Sequence, residues 1–162
     1  MCTNLTTASD CDRWISEMEG QTMTKRIVFA VAIFALLLPG FVLADTAEKE
    51  SVAIASAELW LKLVDEGRYA DSWKEASQHF KAAVNEDQWK GAIESARRPL
   101  GTTVSRTLKS SHYATSLPGA PDGEYVIIQY STEFENKKAA IETVTPMLDK
   151  DGKWRISGYY IR

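Results

Sequence analysis

The chain has 162 residues, with 19 Lys and Arg against 22 Asp and Glu, 44% hydrophobic and 10% aromatic, the make-up of an ordinary globular chain of one domain. Its near balance of charge excludes a nucleic-acid binder, which needs a basic excess or stripe to displace counterions from phosphate. Arg97-Arg98 and Lys137-Lys138 are pairs, not patches.

Residues 23–44 follow the order of a secretory signal. Lys25-Arg26 precede the apolar run Ile27 to Leu38; Pro39-Gly40 break it, and Val42 and Ala44 stand at −3 and −1 of a cut before Asp45. The uninterrupted apolar part is short for a bilayer span, so cleavage near Ala44/Asp45 and a periplasmic or secreted product are expected. The alternative is an anchor made of uncleaved residues 27–44. Residues 1–22 carry Asp10, Asp12, Glu17 and Glu19 against Arg13 alone. Acid ahead of an apolar run opposes export, so this stretch reads as a start assigned too early, with Met23 the true one, or as a disordered tail. Cys2 and Cys11 both precede the signal, which leaves residues 45–162 without thiol chemistry, disulfide or lipid-attachment cysteine and with a net charge of −2. The mature form is expected to have no membrane span.

After a polar lead of Asp45 to Ser51, Ala53, Ala57, Trp60, Leu61 and Val64 recur at helical spacing, and Gly67 supplies a stop. A second helical stretch, Arg68 to Val84, is expected to break near Ser77. Asn85-Glu86-Asp87-Gln88 has the form of a capping box opening a third, with Trp89, Ile93 and Ala96 on one face and Arg97-Arg98 at its negative end. From Thr102 the period changes to two. Four strands are expected: one through Val104, Arg106 and Leu108; one through Val126, Ile128, Tyr130 and Phe134; one over 138–148; and one with Trp154, Ile156, Gly158 and Tyr160 on one face and Tyr159 on the other. Turn-rich segments at Leu117–Gly123, Glu135–Lys138 and Asp149–Gly152 join them. Helices before an antiparallel meander make an α+β domain over 45–162, N-terminal helices packed on one face of a curled four-stranded sheet.

The strings Trp60-Leu61, Val64-Asp65, Ser72-Trp73, Arg98-Pro99-Leu100-Gly101, Leu117 to Tyr125 and Asp151 to Ile161 resemble the bacterial domain-of-unknown-function 4019 family over nearly all of residues 50–162. That resemblance implies an exported protein and carries no activity. More distantly, three helices ahead of a curled sheet ending in Gly-Lys-Trp-Arg are similar to the nuclear-transport-factor-2-like cone folds, which host isomerases, dehydratases, ligand binders and dimerisation modules.

No nucleotide-binding, nucleophile-elbow or zinc-protease motif occurs, and His79 and His112 lack metal-ligand spacing, so no catalytic residue, metal or cofactor is assigned. Arg106 and Glu142 share the parity of apolar neighbours and point toward the helix-covered face, where an unpaired charge is costly. They form either a structural ion pair or, with Tyr130, His112 and the aromatic wall Trp73, a ligand pocket in a cone. The function favoured is a non-catalytic binding or interaction module, dimeric or with an envelope partner through an outer sheet face of Tyr125, Ile127 and Tyr159. A small-ligand carrier and a small acid/base enzyme are the alternatives.

Overall fold

The computed structural model describes residues 40–162; the apolar run, the basic pair and residues 1–22 lie outside the described residues. Helix α1 spans Gly40–Asp65. Asp45 to Ser51, expected as a polar lead, is therefore helical; the missing apolar period there means that helix is present without a fully buried face. Ala53, Ala57, Trp60, Leu61 and Val64 are all buried, one stripe against the sheet. The helix ends as the sequence predicts. Gly67 sits at φ 72°, the Arg68 amide donates to the Leu63 carbonyl at 2.9 Å, and the Gly67 amide donates to that of Val64 at 3.1 Å, a Schellman closure.

The second helical stretch divides at Ser77 as expected, into α2 (Tyr69–Lys74) and α3 (Gln78–Ala83). Ser77 caps α3 through the Phe80 amide, and its own amide donates to the Ile156 carbonyl at 2.9 Å, tying the break to the last strand. Helix α4 (Glu86–Arg97) opens on the capping box: Asn85 and Gln88 exchange side-chain to backbone bonds of 2.9 and 3.0 Å. Buried Ser72 joins three helices, its carbonyl accepting from the Trp60 indole and its hydroxyl from that of Trp89. Trp60, Trp89, Phe80 and Tyr159 make edge and tilted ring contacts at 5.1–6.5 Å, the aromatic centre of the core.

Strands β1 (Thr103–Ala114), β2 (Tyr125–Phe134), β3 (Lys137–Leu148) and β4 (Trp154–Ile161) form one antiparallel sheet in that order. Residues 45–162 make one compact unit, and the sheet stays open, with β1 and β4 as its edges. Shifts of register at Thr103/Ser105, Leu108/Ser110, Thr132/Phe134 and Thr145/Pro146 bend its strands. The last of these corrects the expected parity of β4. Ile156 pairs with Pro146 but Gly158 pairs with Thr145, so the extra residue turns Tyr159, opposite Val144, into the core and leaves Tyr160, opposite Thr143, 63% exposed outside. Of the expected outer patch only Ile127 keeps its place on the outer face, opposite His112: Tyr159 faces inward, and Tyr125 is buried under the loop that follows β1, its hydroxyl donating to the Pro121 carbonyl at 2.6 Å.

Candidate functional site

Arg106 and Glu142 do meet on the helix-covered face, as their parity predicts, and they meet within a larger cluster. On β2, Thr132, opposite Arg106, and Tyr130, opposite Glu142, share that face. Arg106 donates from Nε and Nη2 to the two Glu142 oxygens at 2.6 and 3.2 Å, and from Nη1 and Nη2 to the two Asp65 oxygens at 2.7 and 3.0 Å. One planar guanidinium thus bridges two carboxylates, a geometry lysine cannot supply.

Arg97 is the second cation. Its Nη2 donates to Asp65 Oδ1 at 2.6 Å and to Thr103 Oγ1 at 2.9 Å, and its Nη1 to Glu142 Oε1 at 3.2 Å and Tyr159 Oη at 3.3 Å. The Phe134 ring lies against it, 4.7 Å from guanidinium carbon to centroid. Arg97 and Arg98 adjoin at the helix end in sequence; only Arg98 stays outside. Trp89, Ile93 and Arg97 follow each other at four-residue steps and are the buried face of α4, a spacing that was available in the sequence. Asp65, one residue past buried Val64, is the other member that apolar spacing alone does not single out.

Glu142, 0% exposed, completes its shell with bonds from Thr132 Oγ1 at 2.6 Å and from the Tyr159 hydroxyl. Both of its oxygens are consumed. Two arginines and two carboxylates sum to zero charge, which is what a buried charged cluster needs to offset desolvation. Burial raises the Asp65 carboxyl and the Arg106 guanidinium, with help from Thr103 and Arg97, more than reverses it, holding Asp65 below its usual value. Burial lowers Arg106, and Asp65 and Glu142 drive it well above its ordinary range. Burial and the Glu142 charge raise the Tyr159 phenol far beyond the reach of physiological pH, against the pull of Arg97.

Of the other expected residues, Tyr130 lies near the cluster, buried, its hydroxyl without a hydrogen-bond partner among the described residues. Burial, then the charge of Glu58, with Glu142 adding and Arg106 opposing, pushes its pKa up to about 12. His112 does not join them. The Leu108/Ser110 bulge sets Ser111 inward, where its hydroxyl donates to Glu50 at 2.5 Å, and His112 opposite Ile127 on the outer face. Trp73 belongs to the helical layer, its indole donating to the Val84 carbonyl at 2.8 Å. The cluster reaches solvent on the Asp65 side, at an open cleft of ≈ 460 Å³ bordered by Asp65, Arg97, Glu94 and Gly101.

Among the described residues no three His, Cys, Asp or Glu side chains are grouped to hold a metal ion, and no helix is long and apolar enough to cross a membrane. Compared with known families, residues 56–159 match the family described as Protein of unknown function (DUF4019). No curated protein and no solved structure matches the chain.

Proposed function

The chain belongs to the DUF4019 family, and from that premise we propose that it is an exported, non-catalytic binding or interaction module. The observation that carries the reading is the closed accounting of the buried cluster: every charged group of Asp65, Arg97, Arg106 and Glu142 is bonded to another member. A general base needs a free lone pair aimed at substrate, and an anion clamp needs free guanidinium donors on its cavity side. Here both Glu142 oxygens and eight of the ten guanidinium N–H groups are engaged inside the cluster, so it acts as a staple between α1, α4 and the sheet. Residues 23–44 serve as the signal, and residues 45–162 act in the periplasm or outside the cell. The proposed kinship with nuclear-transport-factor-2-like cones rests on the order of helices before sheet; the open sheet edge departs from a closed cone.

The carrier reading has one observation in its favour, the unpartnered Tyr130 hydroxyl beside the cluster, which a ligand's polar atom would satisfy. Native mass spectrometry of the protein expressed from its full-length gene and recovered from the envelope fraction tests both. A species beginning at Asp45 that travels with a partner protein, as a dimer or with bound mass supports the module. A species retaining residues 27–44 refutes export as a soluble product, and a bare monomer that recovers nothing from the envelope refutes the binding role.

A further inference from the structure

The face of α1 away from the cluster carries the most exposed large apolar side chain among the described residues, Leu59 at 71%. It does not stand alone. Leu59, Leu63, Trp154 and Ile156 border a groove of ≈ 460 Å³ between α1 and the start of β4. The groove is held open at a fixed width, because Ser56 Oγ donates to the Trp154 carbonyl at 2.7 Å and so ties the helix to the strand without filling the space above. Its size falls in the usual range for a small-molecule site.

Its rim is basic on a domain whose net charge is −2. Arg68 and Arg155 are on the rim but committed, Arg68 to Glu66 and Asp71 and Arg155 to Asp149 and Asp151. Lys62, from α1, and Lys153, from the turn before β4, border the same groove and have no ion-pair partner among the described residues. Glu75 is the one rim acid outside an ion pair, so the uncommitted rim charge is positive. Apolar walls under two uncommitted ammonium groups match a molecule with a hydrocarbon chain and an anionic head, the chain against Leu59 and Leu63 and the head between the lysines, whose own methylene stems extend the apolar wall.

We propose that this groove binds a single-chain anionic amphiphile, a long-chain carboxylate, one molecule per domain. The proposal rests on the reading of the protein as a binding module and names its ligand class. The probe is palmitate below its micellar concentration, titrated into the purified protein and followed by tryptophan emission, since Trp154 borders the groove. Saturable binding is expected, weakened about tenfold or more by Leu59→Glu and by the Lys62→Glu/Lys153→Glu pair, all exposed positions whose circular dichroism stays native. Hexadecanol, the uncharged probe, should lose affinity in Leu59→Glu and keep it in the lysine pair. Equal palmitate affinity in all three proteins overturns the proposal. So does absence of palmitate binding alongside variant-sensitive binding to vesicles of anionic phospholipid, which would assign the face to a membrane surface. If palmitate fails while envelope-derived protein carries another partner or mass, the ligand class is wrong and the module stands; if both fail, the module falls too.

Discussion

Glu142→Ala tests the account of the buried cluster most directly. The carboxylate accepts from Arg97, Arg106, Thr132 and Tyr159. Its removal leaves two guanidinium groups, with side chains 6% and 15% exposed, facing the single carboxylate of Asp65. Breaking a buried pair from one side costs about 3–5 kcal/mol. A domain the size of residues 45–162 has an unfolding entropy of roughly 0.25 kcal/mol/K at its midpoint, so the loss corresponds to a fall of about 12–20 °C in Tm. The double variant Arg106→Met/Glu142→Leu removes one charge of each sign and leaves Arg97 paired with Asp65. It should be destabilised by at least about 2 kcal/mol less than the sum of Arg106→Met and Glu142→Leu alone, because each single change leaves an orphan charge and the pair does not. Urea melts of the four proteins, read by circular dichroism, give the cycle. Additive losses, or a loss below about 1 kcal/mol for Glu142→Ala, would refute the staple.

Three further outcomes are expected. Tyr130→Phe removes an enclosed hydroxyl that has no partner and should leave stability unchanged or raise it by about 1 kcal/mol; a loss of that size in the melt would mean that the hydroxyl is bonded after all. Gly101→Ala should destabilise by more than about 1 kcal/mol in the same assay, since Gly101 sits at φ 78° and a Cβ there would fall 2.7 Å from Glu135 Oε2 and 2.9 Å from Glu135 Cβ. For pH, Asp65 is held low by Arg106, Thr103 and Arg97 against burial, Glu124 chiefly by Lys49, and Asp151 by Arg155 at about 2. Carboxyls depressed in the folded state contribute fully above their unfolded values near 4 and lose that contribution as pH falls through the folded ones. The urea midpoint should therefore hold between about pH 7 and 5 and drop below about pH 4, and a midpoint that rises on acidification contradicts these ion pairs.

What sequence alone determined was local. Apolar spacing set α1 from Ala53 onward, Asn85 and Gln88 declared the start of α4, Gly67 declared the end of α1, and alternation announced four strands and the inward parity of Arg106 and Glu142. These features depend on residues a few positions apart, whose geometry is fixed by helix or strand period. Tertiary structure decided the rest. Two-residue parity holds only until a bulge, so the extra residue before Gly158 exchanged the sides of Tyr159 and Tyr160, and the one after Leu108 sent His112 away from the site. The partners of a buried charge come from anywhere in the chain. Arg97 and Asp65 are 32 residues apart, and Arg97 and Glu142 are 45 apart. No spacing rule joins them, and what brought them together was the folded core's requirement that a buried charge be neutralised.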